Sequence, residues 1–353
     1  MSHSSVTDIP PVAFTSRLNT STGLVLGIDI GGTKTAALLF DEHDRTIGRA
    51  QVPTPRHGLT EAVLAAAREA LSYAPVGAGT LIGVGIAAPG HIDVTGGNVR
   101  QAVNLGVDDL PIAAMVRTAL GVPCFVEHDA RAAAAWLYES PPDKDAGRLT
   151  HIAYLSMGTG ISAGIVLDGV PVRGATGLAG EIGHVSADPN GPLCGCGLRG
   201  CLEAVAAGPA IERLGRAAVK AGQTTMLADG PVTAEAVFRA ARNGDMIAQQ
   251  ITTDVGVHVA RAVRALVLTF GLQRVYIGGG VARAGDAFIA PIERELERER
   301  SVSSLIRHAV PAGVIRVVPS DTDPVARGAG VIARAGLAHM RPRWDPEEEV
   351  EDG

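Results

Sequence analysis

A chain of 353 residues, 46% hydrophobic, 19% charged and only 3% aromatic, is long enough for two domains with cores of Ala, Val, Leu and Ile. The net charge is −6, and the tail 341–353, with six acids and two arginines, carries −4 of it; the body therefore has no broad basic face, which argues against nucleic acid as the main partner. No apolar run approaches the roughly 20 residues of a membrane span and no secretory segment is visible, so we expect a cytoplasmic protein without a membrane partner.

The first half of the chain alternates strands, glycine turns and helices. Residues 1–23 are rich in Ser, Thr and Pro and are expected to form a disordered tail. The pattern then predicts, in chain order, a buried strand at 24–30, the turn Gly31-Gly32-Thr33-Lys34, a strand at 35–41, a helix at 59–74, a strand at 80–87, a helix at 110–120, a strand at 122–127 and a helix at 130–137. The composition of 139–148 predicts a linker.

The second half begins by repeating the first. A strand at 152–157, the turn Gly158-Thr159-Gly160 and a strand at 161–168 follow the same order, each copy ending in Asp. This internal repeat predicts two similar lobes around a cleft, which the glycine turns face. The further elements are predicted as helices at 208–221, 233–243 and 245–270, a strand from Val275 into a third glycine turn, Gly278-Gly279-Gly280, a helix at 292–300, a strand at 314–318 and a helix at 326–335.

These patterns predict the domain boundaries. We expect an N-terminal lobe at 24–140, completed by a C-terminal helix at about 325–338, and a C-terminal lobe at 149–322 that contains a loop at 180–203. The acidic tail 341–353 is expected to be a solvated, disordered end.

The loop 180–203 holds the most informative pattern. Three cysteines fall within eight residues and a histidine lies ten residues upstream: His184, Cys194, Cys196 and Cys201. Three thiols and one imidazole form a closed tetrahedral set for structural zinc. A disulfide or unrelated buried thiols are the alternatives, which the expected reducing compartment and the short spacing of the first two cysteines disfavour. Glu181 and Glu203 flank the motif, so the metal is also expected to position acids for a ligand. Cys124, in an apolar strand, is expected to be a buried small hydrophobe.

The three glycine turns at strand ends suit a nucleotide, because glycine lets backbone N–H groups approach phosphates. A hairpin also needs glycine, but two turns in an internal repeat together with a third favour the nucleotide. None of the turns has the spacing of a Walker A loop or of Gly-x-Gly-x-x-Gly. Asp29, beside the first turn, could hold Mg²⁺ on the phosphates through water; the alternative is an Asx turn.

Asp129 lies at a strand-to-helix junction, in Glu127-His128-Asp129. There it can serve as the N-cap of the following helix. A carboxylate at the carboxyl end of a strand can also accept the proton of a substrate hydroxyl during phosphoryl transfer. The two roles are compatible.

Over residues 24–338 the chain resembles the ROK family of sugar kinases and repressors, within the actin-like ATPase superfamily. The matching motifs are Asp29-Ile-Gly-Gly-Thr-Lys34, Ala88-Pro-Gly90, Asn104-Leu105, Glu127-His-Asp129, Gly158-Thr-Gly160, Gly180-Glu-Ile-Gly-His184, the cysteine motif Cys194 to Glu203, and Gly278-Gly-Gly280. The resemblance implies an α/β, actin-like ATPase (ribonuclease H-like) fold with two similar lobes around a cleft. It also implies ATP, Mg²⁺ and structural Zn²⁺ as cofactors, and a homodimer or homotetramer, between which no sequence feature selects.

The resemblance further implies a role for each site residue. Asp129 becomes the general base on the sugar hydroxyl that attacks the γ-phosphate. The sugar-binding set is Gly90, Asn104, His128, Glu181, His184 and Glu203. The ATP-binding set is Asp29, Gly31, Gly32, Thr33, Lys34, Gly158, Thr159, Gly160, Gly279 and Gly280.

One departure bears on the substrate. The residue before the base is commonly Asn in the family, whereas here it is His128, which offers a donor and an acceptor in a different shape. The expected reaction is phosphorylation of the primary 6-hydroxyl of glucose or a glucose-like sugar; N-acetylmannosamine, N-acetylglucosamine, 3-amino-3-deoxyglucose and a C7 cyclitol are the alternative acceptors. Polyphosphate stays open as the phosphoryl donor.

Two functions without catalysis are disfavoured. A repressor would need a helix-turn-helix domain ahead of the first strand, and about 23 residues are too few for one. A sugar-binding regulator would not need the general base, yet Asp129, Asp29 and the glycine turns are intact.

Overall fold

The computed structural model describes residues 23–143 and 147–340 of the chain. The predicted acidic tail and all but the last residue of the predicted N-terminal tail lie outside these ranges. Contacts between Cα atoms divide the chain into two compact units: an N-terminal unit, Met1–Ala135 with Val325–Gly353, and a C-terminal unit, Trp136–Pro324. No helix within the described ranges combines the length and the hydropathy that a bilayer crossing requires.

The described residues form thirteen strands and ten α-helices. The strands, in chain order, are β1 Leu24–Ile30, β2 Lys34–Phe40, β3 Thr46–Pro53, β4 Leu81–Ala88, β5 His91–Asp93, β6 Asn98–Ala102, β7 Val107–Leu110, β8 Cys124–His128, β9 His151–Met157, β10 Ile161–Leu167, β11 Val170–Pro171, β12 Arg274–Gly278 and β13 Ile315–Val317. The helices, in chain order, are α1 Leu59–Ser72, α2 Ile112–Leu120, α3 Asp129–Glu139, α4 Leu202–Ala206, α5 Gly208–Lys220, α6 Ala234–Arg242, α7 Met246–Phe270, α8 Asp286–Val302, α9 Ser304–Ala309 and α10 Pro324–Met340.

The N-terminal unit is built on a five-stranded sheet in the order β3-β2-β1-β4-β8. Strands β1, β2 and β3 form an antiparallel meander, while β1, β4 and β8 run parallel. The register places Asp29, Ala87 and Glu127 in one row across the three parallel strands. Because the carboxyl ends of parallel strands share one edge, Asp29 and the first residue of α3, Asp129, lie at the same edge of the sheet.

The C-terminal unit repeats this topology. Its sheet has the order β11-β10-β9-β12-β13, again with an antiparallel meander followed by two parallel strands. The first and second glycine turns occupy the same place in the two units, between the first and second strands of each meander. The internal repeat predicted from the sequence is therefore confirmed by the strand order.

Small residues let α10 pack closely on the N-terminal sheet. A Cβ atom added to Gly27 of β1 would lie 2.1 Å from the carbonyl oxygen of Ala326, and one added to Gly85 of β4 would lie 1.8 Å from that of Ala329. Real Cβ atoms do not approach backbone this closely, so glycine is required where the helix crosses these strands. The C-terminal helix thus completes the N-terminal core.

Several elements differ from the prediction: β3, β5, β6, β7, β11, α4 and α9 were not predicted, and two predicted helices begin elsewhere because of tertiary contacts. The helix predicted at 292–300 is the second half of α8, which begins six residues earlier in spite of Pro291. A Cβ atom added to Gly256 of α7 would lie 2.5 Å from the Cβ of Pro291, so close packing of α7 on α8 accompanies this internal proline. The helix predicted at 110–120 begins only at Ile112, because Leu110 pairs with Val99 in the small sheet β5-β6-β7.

Asp245 caps α7, a helix of 25 residues. Its buried carboxylate accepts hydrogen bonds from the backbone N–H of Ala248 (2.9 Å), the hydroxyl of Thr225 (2.8 Å) and the backbone N–H of Met226 (2.6 Å). Burial alone would raise the pKa of this carboxyl, but the hydrogen bonds outweigh burial and hold the pKa below its usual 3.8. The charged cap therefore stabilises the fold at neutral pH.

Asp245→Ala is expected to lower the free energy of unfolding by about 2–3 kcal/mol at pH 7, because three donors lose their acceptor. Because the pKa of Asp245 is lower in the folded state than the unfolded value of 3.8, its carboxylate stabilises the fold at pH values above 3.8. This stability is lost as the pH falls through the lowered pKa of the folded state. The difference in free energy of unfolding between wild type and variant should therefore shrink below about pH 4. Urea denaturation at pH 7 and at lower pH measures both effects. Asp286→Ala, at the exposed start of α8 where no side-chain cap is present, is the matched control and should cost less than about 0.5 kcal/mol.

Candidate active site

The predicted site residues fall into two groups, one in each unit. The N-terminal unit carries Asp29, Gly31, Gly32, Thr33, Lys34, Gly90, Asn104, His128 and Asp129. The C-terminal unit carries Gly158, Thr159, Gly160, Glu181, His184, Cys194, Cys196, Cys201, Glu203, Gly279 and Gly280.

The first glycine turn closes the hairpin between β1 and β2. The backbone N–H of Gly31 donates to the carbonyl of Lys34 at 3.0 Å, and Gly32 is exposed. A Cβ atom added to Gly32 would lie 3.9 Å from the Cβ of Asn104, in the short 3₁₀ helix Val103–Leu105. The structure therefore brings a predicted phosphate-binding glycine next to a predicted sugar-binding amide within one unit.

Gly90 occupies a position that only glycine can fill. Its φ is +97°, and an added Cβ would lie 2.9 Å from the Cβ of Ala102 at the end of β6. The segment follows β4, whose last residue, Ala88, pairs with His128 of β8. The close approach holds the loop after β4 against the residues that precede Asn104.

Asp129 begins α3 and remains partly open to solvent. Its Oδ1 accepts a hydrogen bond from the backbone N–H of Ala130 at 2.5 Å and lies 3.2 Å from Nδ1 of His128. The carboxylate side chain is 29% exposed, whereas the imidazole is 7% exposed. Asp129 is thus the first residue of α3 and not the predicted N-cap before it, because the backbone N–H that its carboxylate accepts is that of the next residue. A carboxylate fixed by a helix-start N–H and still reachable from outside can accept a proton, so the geometry permits the role of general base.

A buried ion pair holds this junction and was missed by the sequence reasoning. Arg131 Nε lies 2.8 Å from Glu127 Oε1, and the two side chains are 1% and 0% exposed. The same Oε1 accepts a hydrogen bond from the backbone N–H of His128 at 2.8 Å. The pair fixes the end of β8 against the first turn of α3, directly beside Asp129.

The second and third glycine turns lie side by side at the end of the C-terminal sheet. The second is closed by a hydrogen bond from Gly158 N–H to the Gly160 carbonyl (3.0 Å). At the third, Gly279 has φ +93°, and an added Cβ would lie 2.4 Å from the carbonyl oxygen of Met157, the residue before the second turn. The pairing of β12 with β9 produces this approach, since Gly278 is the partner of Ser156.

The loop 180–203 gathers its four predicted metal ligands. The ring nitrogen and thiol sulfurs of His184, Cys194, Cys196 and Cys201 lie within 4.8 Å of one another. Cys194 Sγ is 3.6 Å from His184 Nδ1, and Cys196 Sγ is 3.6 Å from Cys201 Sγ. Zn–S bonds of about 2.3 Å at tetrahedral angles place two sulfurs about 3.8 Å apart, so the observed spacing fits a four-coordinate metal. A disulfide would require about 2 Å, and all four cysteines are free.

The protonation of these thiols depends on their different surroundings. Burial and the neighbouring thiols raise the pKa of Cys201 to about 12, while a hydrogen bond with the Leu198 backbone lowers the pKa of the exposed Cys196 to about 7. Three thiols this close cannot all ionise without a compensating positive charge, which a divalent cation supplies. By contrast, Cys124 is buried outside the cluster, and burial raises its pKa to about 12.

Glu203 lies next to the second glycine turn. Its Oε2 accepts a hydrogen bond from the backbone N–H of Ile161 at 3.0 Å, and an added Cβ on Gly160 would lie 2.7 Å from the same oxygen. Glu181 directly precedes the 3₁₀ helix Ile182–His184 and is half-buried. Both acids that flank the cysteine motif are thus attached to the segment that carries the candidate metal ligands.

Two sheets of the same unusual order, each with a glycine turn in its first hairpin, define a member of the actin-like ATPase fold. The ROK family model matches residues 25–334, and the chain belongs to the ROK family.

Curated relatives of this chain include sugar kinases of two specificities. A glucokinase of Thermotoga maritima is 34% identical over 327 residues, covering 90% of this chain and 98% of the relative. An N-acetylmannosamine kinase of Yersinia pseudotuberculosis is also 34% identical, over 318 residues that cover 89% of this chain and all of the relative. The crystal structure of a ROK family glucokinase from Streptomyces griseus in complex with glucose and AMPPNP superposes with a TM-score of 0.72 at 29% identity, covering 88% of this chain and 99% of that chain. These similarities confirm the predicted family, fold and enzyme class, that of ATP-dependent sugar kinases.

Proposed function

We propose that this chain transfers the γ-phosphoryl group of ATP to the primary 6-hydroxyl of glucose or a glucose-like sugar, with Asp129 as the general base. The observation that carries the proposal is the position of Asp129: at the carboxyl edge of the N-terminal sheet, held by the Ala130 N–H and 29% exposed. In this reaction Asp129 accepts the proton of the attacking hydroxyl as the bond to phosphorus forms.

In the proposal, the glycine turns bind the nucleotide. The turns at 31–34 and 158–160 would hold phosphate oxygens with backbone N–H groups, and Gly279-Gly280 would lie against the adenosine. Asp29, in the same row of the sheet as Glu127, would hold Mg²⁺ through water. When bound, the magnesium neutralises charge on the phosphates.

In the proposal, the metal cluster fixes the loop that binds the sugar. Zinc bound by His184 and the three cysteines would fix the loop that carries Glu181 and Glu203, so that carboxylates and the second nitrogen of His184 meet sugar hydroxyls. Gly90 and Asn104 complete the sugar set from the N-terminal unit. The cytoplasmic location and the homodimer or homotetramer remain predictions.

The identity of the sugar depends on His128. The glucokinase and the N-acetylmannosamine kinase are equally similar to this chain, so overall identity does not discriminate between them. The His128 imidazole is 7% exposed, and its Nδ1 lies 3.2 Å from Oδ1 of Asp129. We propose that the imidazole therefore forms hydrogen bonds with the same sugar hydroxyls as the base. We propose glucose as the acceptor and keep N-acetylmannosamine, N-acetylglucosamine, 3-amino-3-deoxyglucose and a C7 cyclitol as alternatives.

The test is ADP release with MgATP against these five acceptors, mannose and fructose. With polyphosphate as the donor no ADP is formed, so the phosphorylated acceptor is measured instead. Glucose is expected to give the highest kcat/KM. Turnover confined to an amino sugar or the cyclitol would show that this compound, and not glucose, is the acceptor. No turnover with any acceptor and either donor would contradict the kinase function.

His128→Asn is expected to change the ratio of kcat/KM for glucose and N-acetylmannosamine by about tenfold, because one hydrogen bond to a substrate is worth about 1 kcal/mol or more. The same assay on both sugars measures the ratio. His339→Asn, an exposed histidine in α10, is the control and should leave the ratio unchanged. An unchanged ratio in the His128 variant would remove this residue from the specificity determinants.

A further inference from the structure

One carboxylate connects the metal-binding loop to the second glycine turn. Glu203 is the second residue of α4, a helix that begins directly after the metal ligand Cys201. Its Oε2 accepts the Ile161 N–H at 3.0 Å, although the two residues are 42 positions apart in the chain. Gly160 passes so close to this oxygen that an added Cβ would lie 2.7 Å from it.

The other side of the same turn is held by the segment that follows α4. The backbone N–H of Gly208, the first residue of α5, donates to the carbonyl of Gly158 at 2.9 Å. The turn Gly158–Gly160 is therefore anchored at both flanks by residues 203–208, in addition to its own hydrogen bond from Gly158 to Gly160. The segment 201–208, which begins at the predicted metal ligand Cys201, thus contacts both sides of the predicted phosphate-binding turn.

We propose that Glu203 is a positioning residue for the nucleotide: its Oε2 holds the Ile161 N–H and thereby fixes the turn Gly158–Gly160 in the conformation that receives phosphate. This role is separate from any contact of Glu203 with a sugar hydroxyl, and it rests on the proposed function, in which the turn binds ATP. Metal ligation at Cys201 holds the start of the helix that carries Glu203, so the metal loop also supports the nucleotide site.

The physical basis is preorganisation. A turn with two glycines in three residues has many accessible backbone conformations when nothing restrains it, and ordering it on phosphate binding costs conformational entropy. A hydrogen bond that the turn's flanking N–H donates to a carboxylate is among the stronger restraints available. This hydrogen bond orders the turn already in the free protein, so less conformational entropy is lost when the nucleotide binds.

The experiment measures the Kd of Mg·AMPPNP by calorimetry in the absence of sugar, so that sugar contacts of Glu203 do not contribute. Two variants of similar length form a matched pair: Glu203→Met has no acceptor oxygen, and Glu203→Gln keeps a carbonyl oxygen that can accept from Ile161. Glu203→Met is expected to weaken binding about tenfold, and Glu203→Gln to stay within about twofold of wild type.

Glu235→Gln, which alters an exposed glutamate in the first turn of α6 outside the predicted site, is the control and should leave the nucleotide Kd unchanged. Metal content and thermal unfolding are measured on every variant, and if Glu203→Met has lost its metal, Glu203→Ala replaces it. Equal AMPPNP affinity in wild type and in a metal-loaded variant without the acceptor overturns the positioning role and leaves the kinase proposal intact. Failure of the wild-type protein to bind Mg·AMPPNP overturns the proposed function itself.

Discussion

Asp129→Asn is expected to lower kcat for phosphoryl transfer by about 10³-fold, within the range of about 10²–10⁴ that a positioned general base contributes. The amide has nearly the same shape as the carboxylate, and its oxygen can still accept the hydrogen bond from Ala130 that is 2.5 Å long in the wild-type protein. The start of α3 is therefore kept, and what is lost is the ability to take up the proton of the attacking hydroxyl.

The measurement is ADP release at saturating sugar and MgATP, together with calorimetric binding of the sugar. The Kd of the sugar should stay within a few-fold, about 1 kcal/mol at most, since the amide still accepts and donates hydrogen bonds. Asp229→Asn, an exposed aspartate outside the predicted site, is the control and should turn over like wild type. A kcat for Asp129→Asn above about a tenth of the wild-type value would refute the assignment of the base, because no general base contributes so little.

The repeated hairpin made the fold predictable from the sequence. Strands β1 and β9 are mostly apolar runs followed by glycine turns, and both copies lie in the same place of their sheets. The cluster of His184, Cys194, Cys196 and Cys201 was also predictable, because its three cysteines are local in sequence and this set of side chains is typical of a metal site. Local patterns thus predicted the two repeated hairpins and the clustering of the four candidate metal ligands.

Contacts between segments that are distant in the chain could not be predicted from local sequence patterns. The row of Asp29, Ala87 and Glu127 depends on which strands are neighbours and on their register, neither of which a single strand encodes. The hydrogen bond from Ile161 to Glu203 likewise depends on how α4 packs beside β10. The start of α8 was also not predicted: the helix begins six residues before the predicted one, with Pro291 inside it and packed against Gly256 of α7.

The largest effect on stability is expected from the metal cluster. Cys201 is 1% exposed, with its Sγ 3.6 Å from that of Cys196, and it directly precedes α4. Cys201→Ala removes one of four ligands and leaves the other thiols close together without a complete tetrahedral site. Since free energies of structural zinc binding are about 10 kcal/mol or more and count toward folding, we expect loss of the metal and a fall in stability of several kcal/mol, about 3 or more.

The measurement is zinc content by elemental analysis, thermal unfolding, and the Kd of the sugar for wild type, Cys201→Ala and Cys124→Ala. Cys124 is the matched control, a buried cysteine (5% exposed) in β8 outside the cluster; its variant should keep about one zinc per chain and lose only about 1 kcal/mol for a small cavity. In the Cys201 variant the loop that carries Glu181 and Glu203 loses its anchor, so sugar affinity should fall at least about tenfold even where the rest of the chain stays folded. A wild-type protein without zinc, or a Cys201 variant with full zinc content and unchanged sugar affinity, would contradict a metal that both stabilises the loop and positions its acids.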